Sequence, residues 1–232
     1  MKRLLLILGL ILAGDALADA AMDTPPSAAT PAAAPASPGG ATGADTPPAT
    51  AAGAAAVKPA TAAPAATTQV QVVTSLGNFT IELNAERAPL TVAHFLKYVD
   101  QGQYTDTIFH RVIANFVIQG GGFDTNYKLK PAPVKVVNES GNGLTNQRGT
   151  VGLARTAAPH GGDCQFYVNL FDNAALDPNQ TRWGYAVFGR IVQGMEVVDR
   201  IGNVSTGSKG PLKEDTPIQQ VVIERIERVP SP

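Results

Sequence analysis

The chain has 232 residues, a formal net charge of −1 and a hydrophobic content of 44%, a length that allows one or two domains. The near-balanced charge, with no basic stripe interleaved with aromatic residues, argues against a nucleic-acid-binding protein. Cys164 is the only cysteine, so an intramolecular disulfide is impossible and stability must come from a packed core.

Residues 1–20 have the pattern of a signal peptide. Lys2 and Arg3 give a positive start, and the apolar stretch Leu4–Ala13 is too short to span a bilayer comfortably. Small residues follow and fit an Ala-x-Ala cleavage pattern, although a retained membrane anchor is the alternative. We therefore expect export to the periplasm, with no stable membrane insertion once the leader is removed.

Residues 21–68 are expected to form a disordered Ala/Pro/Thr-rich linker. No aromatic residue occurs before Phe79, and repeated prolines interrupt any helix that the alanines would favour. The tract is typical of a spacer and specifies no partner. Residues 69–232 then form the folded domain, which is long enough to bury one sizeable core.

The folded part begins with strand and helix signals in turn. Val70–Val73 and the alternating segment Phe79–Leu83 predict a hairpin with one buried face. Pro89 suits a first helical turn, and apolar residues then recur at helical spacing up to Gly102. Further strands are predicted at residues 107–113, 116–119, 149–154, 166–170, 185–192 and 221–226, and a second short helix at 195–201. This pattern predicts a mainly β fold, a closed antiparallel barrel capped by helices.

The most informative segment is residues 109–121, which sets Arg111 and Gln119 among apolar, strand-forming residues. Strand alternation is expected to place Phe109 and Arg111 on one face and His110 on the other. Rotation about an Xaa–Pro bond has a barrier of about 18–20 kcal/mol, and a fixed cation can favour the twisted amide without nucleophile, metal or cofactor. In isolation, the simpler interpretation of Arg111 is an exposed strand arginine in a surface ion pair, but the surrounding aromatic and amide residues favour the catalytic interpretation.

Segment 109–121 resembles the signature of the cyclophilin-type peptidyl-prolyl isomerases. The resemblance continues through residues 149–155, 165–169 and 185–189, and it covers residues 69–229 in the correct order. It is closest to bacterial periplasmic cyclophilins. The resemblance implies an eight-stranded antiparallel barrel with two capping helices, and catalysis of Xaa-Pro isomerisation during the folding of exported proteins.

The resemblance also implies roles for particular residues. Arg111 matches the catalytic arginine, and Gln119 matches the glutamine that orients it and bonds the substrate backbone. The residues expected to line the proline pocket are Phe116, Val117, Tyr167 and Leu176. The groove for the residues before proline is expected to include Ala154, Arg155 and Gln165. Tyr185 occupies a position that is often histidine in eukaryotic members.

Several positions depart from the common pattern of the family. Tyr167 replaces a common phenylalanine, so the pocket gains a hydroxyl, and Val117 replaces a common methionine. Arg155 replaces a common asparagine, although its backbone can still bond substrate. Ala175 stands where many members carry a tryptophan that bonds cyclosporin, and Trp183 does not align with that position. We therefore expect weak cyclosporin binding.

Other features have simpler interpretations. The spacing of His94, His110 and His160 matches no metal-ligand pattern, so neither a metal nor a cofactor is expected. Cys164 is interpreted as a packing thiol, and Gly120–Gly122 as a loop. The partners should be proline-containing unfolded or newly exported polypeptides, with a monomer as the default state. The alternative function is a non-catalytic proline-peptide binding module or holdase.

Overall fold

The computed structural model describes residues 68–230, so the predicted signal peptide (1–20) and almost all of the predicted linker (21–68) lie outside the described residues. The strands in chain order are β1 (Gln69–Thr74), β2 (Gly77–Leu83), β3 (Thr107–Ile113), β4 (Val117–Asp124), β5 (Thr150–Leu153), β6 (Phe166–Asn169), β7 (Val187–Gln193), β8 (Thr206–Lys209), β9 (Leu212–Pro217) and β10 (Val222–Arg228). Eight of them close an antiparallel barrel in the order β1-β10-β3-β4-β6-β5-β7-β2, and β8 and β9 form a separate hairpin. The predicted mainly β fold with an eight-stranded barrel is confirmed.

The first hairpin forms as the alternation predicts. Val70 and Val72 of β1 and Ile81 of β2 are fully buried, because side chains on one face of each strand point into the barrel. Gly77 adopts a φ of 122° at the turn, a conformation that L side chains rarely adopt. This glycine therefore permits the tight connection that sets the register of β1 against β2.

The two predicted helices are also present, as α1 (Pro89–Asp100) and α2 (Met195–Gly202). The helical spacing of apolar residues puts Phe95 of α1 into the core, where its ring centroid lies 5.8 Å from that of Phe166 and 5.1 Å from that of Phe188. Because those two rings belong to β6 and β7 and are fully buried, α1 packs over the barrel interior. Gly102, just beyond the helix, has a φ of 66°, as a helix-terminating glycine should.

The pairing of β3 with β4 departs from simple alternation, and two predictions are wrong here. Phe109 and Arg111 do not share a face, because the register shifts between them and leaves His110 as an extra residue, so that Phe109 joins Val112 in the barrel core. Gly120–Gly122 are not a loop but part of β4. A Cβ at any of the three would press on an aromatic ring or on a glutamine side chain, so the strand needs glycine there.

Two further elements were not predicted. A short 3-10 helix spans Ala174–Leu176, and the β8–β9 hairpin lies beside β3. Some predicted bounds also shift, since β4 runs on to Asp124 and β7 begins only at Val187. Phe116 and Tyr185 therefore lie in connections just before strands rather than within them. Their rings pack over the outside of the sheet.

Candidate active site

A second apolar cluster lies apart from the barrel core. It brings together six of the eight residues for which the resemblance implied substrate binding, namely Phe116, Val117, Ala154, Tyr167, Leu176 and Tyr185. Two of them lie in strands β4 and β6, one lies in the 3-10 helix, and three lie in the connections next to β4, β5 and β7. An apolar surface that is separate from the main core, and built by segments distant in sequence, is suited to receiving a small apolar ring.

The hydroxyl of Tyr167, which the common phenylalanine lacks, is buried inside the protein. The hydroxyl donates a hydrogen bond to Oδ1 of Asn146 at 2.6 Å, and the two groups are buried. Its ring stands edge-on to Tyr185 at 6.0 Å, and burial raises the pKa of the phenol. A Cβ at Gly152 would overlap the Tyr167 ring, so glycine at that position makes room for the larger side chain. Tyr167 therefore adds an aromatic wall to the cluster, while its hydroxyl proton is hydrogen-bonded inside the protein.

Buried amides connect the segments that carry this cluster. The backbone N–H and the side-chain amide of Asn146 both donate to Oδ1 of Asp177 at 2.8 Å, next to the 3-10 helix that holds Leu176. Asn173 donates to Oδ1 of Asn169 at 2.7 Å and to the carbonyl of Phe116 at 3.0 Å. Because buried hydrogen bonds are costly to leave unmade, these contacts hold the pocket walls in one arrangement.

Arg111 lies between this apolar cluster and the β8–β9 hairpin. Only 17% of its side chain is exposed, and its Nε is 3.7 Å from Oδ2 of Asp215 in β9. Desolvation lowers the pKa of the guanidinium, while the Asp215 carboxylate and the Tyr185 phenol act in the opposite direction. The bulge at His110 explains the placement, since an extra residue in one strand re-aims the side chains that follow it.

Gln119 and Gln165 form a polar edge beside Arg111. Gln119 is the direct cross-strand partner of Arg111, and its Nε2 donates to Oε1 of Gln165 at 3.3 Å. Gln165 is buried and rests on Gly122, where a Cβ would come within 2.6 Å of it. The side-chain hydrogen bond of Gln119 therefore goes to Gln165, and an orienting contact with Arg111 stays a prediction.

Arg155 is held by backbone carbonyls on both of its sides. Its Nε donates to Gly184 at 3.2 Å, and its terminal nitrogens donate to Trp183 and Thr156, each at 2.9 Å. Its guanidinium carbon lies 4.6 Å above the centre of the Tyr185 ring. Arg155 therefore clamps two loops together and fixes Tyr185 by a cation–π contact.

Neither metal sites nor membrane spans are found within residues 68–230. No three His, Cys, Asp or Glu side chains there are grouped as metal ligands would be. In the same part of the chain, neither helix has the length and apolar character needed to cross a bilayer. Cys164 is buried, and burial raises the pKa of its thiol to about 12, in keeping with a packing role.

Comparison with known proteins agrees with this geometry. Residues 69–228 match the family model described as cyclophilin type peptidyl-prolyl cis-trans isomerase/CLD. The chain is 46% identical to peptidyl-prolyl cis-trans isomerase A of Dickeya dadantii, over 68% of this chain and 82% of the relative. It is 45% identical to peptidyl-prolyl cis-trans isomerase B of Escherichia coli, over 66% of this chain and 94% of the relative.

A solved structure supports the fold. The crystal structure of a cyclophilin type peptidyl-prolyl cis-trans isomerase from Cryptosporidium parvum superposes with a TM-score of 0.56 at 24% identity, covering 72% of this chain and 99% of that one. The barrel, the separate apolar cluster and the sequence matches agree with one another. The chain belongs to the cyclophilin-type peptidyl-prolyl cis-trans isomerases, enzymes that interconvert the cis and trans forms of the peptide bond before proline.

Proposed function

We propose that Arg111 is the residue that accelerates isomerisation and that the apolar cluster holds the proline ring. Amide resonance makes rotation about the Xaa–Pro bond slow, and the resonance is lost when the bond is twisted. The proline nitrogen then becomes pyramidal and can accept a hydrogen bond. A guanidinium that is always protonated offers that hydrogen bond only to the twisted state, so it lowers the barrier without forming a covalent intermediate.

The observation that carries this proposal is the position of the Arg111 side chain. Its guanidinium is largely withdrawn from water and lies near Tyr185, a wall of the apolar cluster. A solvent-exposed strand arginine would be placed differently, as Arg190 is, with 67% of its side chain exposed and an ion pair to Glu82. A cation near an apolar wall acts in a weaker dielectric than water, which strengthens its effect on a developing hydrogen bond.

The remaining residues are assigned supporting roles. Phe116, Val117, Tyr167 and Leu176 hold the proline ring, and Gln119 bonds the substrate backbone. The groove that would receive the residues before proline consists of Ala154, Arg155, Gln165 and Tyr185. The hydrogen bond between Gln119 and Gln165 supports a continuous polar edge along which an extended peptide could be paired.

The test is the exchange rate of a short Xaa-Pro peptide, measured by NMR with the wild type and with Arg111→Ala. Loss of one transition-state donor should lower kcat by about a hundredfold. Arg190→Ala is the matched control, because it removes an arginine from the same barrel but outside the site, and it should leave kcat unchanged. Equal turnover by wild type and Arg111→Ala would reject the mechanism, and binding without turnover in the wild type would instead indicate a holdase.

We further propose that the enzyme works in the periplasm on unfolded or newly exported polypeptides and that it is a monomer. The positive start and short apolar stretch of residues 1–13 support export. The mass of the protein recovered from the periplasm would establish whether the leader is removed. Weak cyclosporin binding is proposed because Ala175 offers no indole N–H, and nanomolar inhibition would contradict it.

A further inference from the structure

Asp215 is an acidic residue of the β8–β9 hairpin that no sequence pattern singled out. The hairpin is not part of the barrel sheet, and β9 lies along β3, the strand that carries Arg111. Oδ2 of Asp215 is 3.7 Å from Nε of Arg111, and 34% of the Asp215 side chain is exposed. Among the ion pairs of the described residues, this is the one that reaches a residue of the proposed catalytic site.

The backbone holds Asp215 in an uncommon conformation. Its φ is 56°, in the left-handed region, which glycine, asparagine and aspartate adopt more readily than other residues. The next residue, Thr216, is buried, and its hydroxyl donates to the carbonyl of Glu214 at 3.2 Å. This hydrogen bond spans Asp215 and restrains the backbone on either side of it. Residues held in such conformations cluster at functional sites, and this one lies beside Arg111.

Arg111 needs such a partner because its site is otherwise mostly apolar. An arginine side chain has many rotamers, and an apolar wall supplies few directional contacts that would select one of them. The Asp215 carboxylate, 3.7 Å from Nε, is beyond hydrogen-bond distance, but its charge attracts the guanidinium and favours the rotamers that keep Nε beside the hairpin. Catalysis by a hydrogen bond to the proline nitrogen requires that the guanidinium be placed accurately.

We propose that Asp215 is a positioning residue that orients the Arg111 guanidinium for isomerisation. The proposal rests on the catalytic role proposed for Arg111. Asp215 does not belong to the apolar cluster, so it should affect the catalytic step and not the binding of the proline ring. The β8–β9 hairpin thereby becomes part of the active site, although it contributes nothing to the barrel sheet.

The test compares wild type, Asp215→Asn, Asp215→Glu and Glu214→Gln in the peptide exchange assay. Asp215→Asn should lower kcat roughly three- to tenfold and change KM less than about twofold, because orientation and not binding is affected. Asp215→Glu should restore part of the loss. Glu214→Gln removes the same charge from the adjacent position, which acts on Arg111 through its charge but forms no ion pair with it, and it should lower kcat less than Asp215→Asn does.

Two further measurements separate positioning from a structural or general charge effect. Exchange of the Arg111 Nε proton with water, followed by NMR, should be faster in Asp215→Asn than in wild type. In an Arg111→Ala background, Asp215→Asn should cause no additional loss of kcat, because the two residues act as one unit.

The outcomes distinguish this proposal from the one on which it rests. If Arg111→Ala retains full activity, the catalytic role of Arg111 fails and the role of Asp215 fails with it. If Arg111→Ala is inactive while Asp215→Asn has the kcat of wild type, the positioning role alone is overturned. An equal loss in Glu214→Gln would also overturn it, because general acidity of the hairpin would then explain the effect.

Discussion

His110 is the residue adjacent to Arg111, and its environment is the opposite of a catalytic one. It is buried, neither ring nitrogen has a hydrogen-bond partner among the described residues, and its ring lies 4.7 Å from that of Phe123. Burial, followed by the charge of Arg111, lowers its pKa to about 3, and the carbonyl of Ile108 opposes this only weakly. His110 is therefore neutral in the folded protein at neutral pH.

This burial predicts acid sensitivity. The ordinary pKa of His110 is 6.5 and its folded-state pKa is about 3, so between these values the unfolded state binds the additional proton. Stability should be fully present above pH 6.5 and fall by up to about 1.4 kcal/mol per pH unit as the pH drops towards 3. Urea unfolding at pH 7, 6, 5 and 4 measures the loss.

The variant His110→Leu removes the titrating ring and should flatten this dependence relative to wild type. His160→Gln is the control, because it replaces an exposed histidine that lies outside the barrel core. Carboxylates that titrate in the same range are present in every variant, so their contribution to the slope cancels when the variants are compared. An acid slope in His110→Leu equal to that of wild type would show that other groups cause the sensitivity.

At the residue scale, the sequence predicted which residues form the apolar cluster better than it predicted the polar contacts that connect them. Family resemblance brought together Phe116, Tyr167 and Leu176, because each occupies a matching position in an ordered series of motifs. Asn146 and Asp215 were missed, since their importance depends on partners supplied by distant segments and neither stands in a recognisable spacing. The prediction that Arg111 shares a face with Phe109 was wrong, since period-2 alternation cannot anticipate a bulge.

At the scale of elements, the 3-10 helix illustrates how polar groups can shape an apolar pocket. Asn146 is a hub of this arrangement, because it accepts from Tyr167 and Asn169 and donates twice to Asp177. Asn146→Ala should destabilise the protein by about 3 kcal/mol, since several buried partners lose a hydrogen bond together. The pocket walls should loosen as well, which raises KM for a proline peptide. Thermal unfolding and peptide kinetics would measure the two effects.

Tyr167→Phe is the comparison for that variant. It removes one hydroxyl, but Oδ1 of Asn146 keeps its bond from Asn169 at 3.2 Å, so the cost should be about 1 kcal/mol. The aromatic wall is preserved, and KM should change less than about twofold. Equal destabilisation by the two substitutions would mean that the tyrosine hydroxyl, and not the asparagine, holds the 3-10 helix.

Elements were predictable where burial imposed a period. The first hairpin and α1 each bury one face, so their apolar residues recur every second residue or at helical spacing. The β8–β9 hairpin was missed because most of its residues are exposed, and a strand without a buried face leaves no alternation in the sequence.

At the scale of the whole molecule, residues 68–230 form a closed barrel and the apolar cluster beside it. We predict that a chain starting at Thr68 has the thermal midpoint and the kcat/KM for a short peptide of the full-length protein, because a closed core of this size can be stable alone. Calorimetry and the peptide exchange assay would compare the two chains. A loss of either property on truncation would show that the preceding residues contribute to the folded domain.

The order of strands has a consequence for biosynthesis. β10 is the last strand to be made, yet it lies between β1 and β3 and hydrogen-bonds to both. A ribosome therefore releases β3, which bears Arg111, well before β10, the neighbour that completes the sheet beside it. Until β10 has emerged, β1 and β3 each have an unpaired edge on that side, and the barrel can close only afterwards.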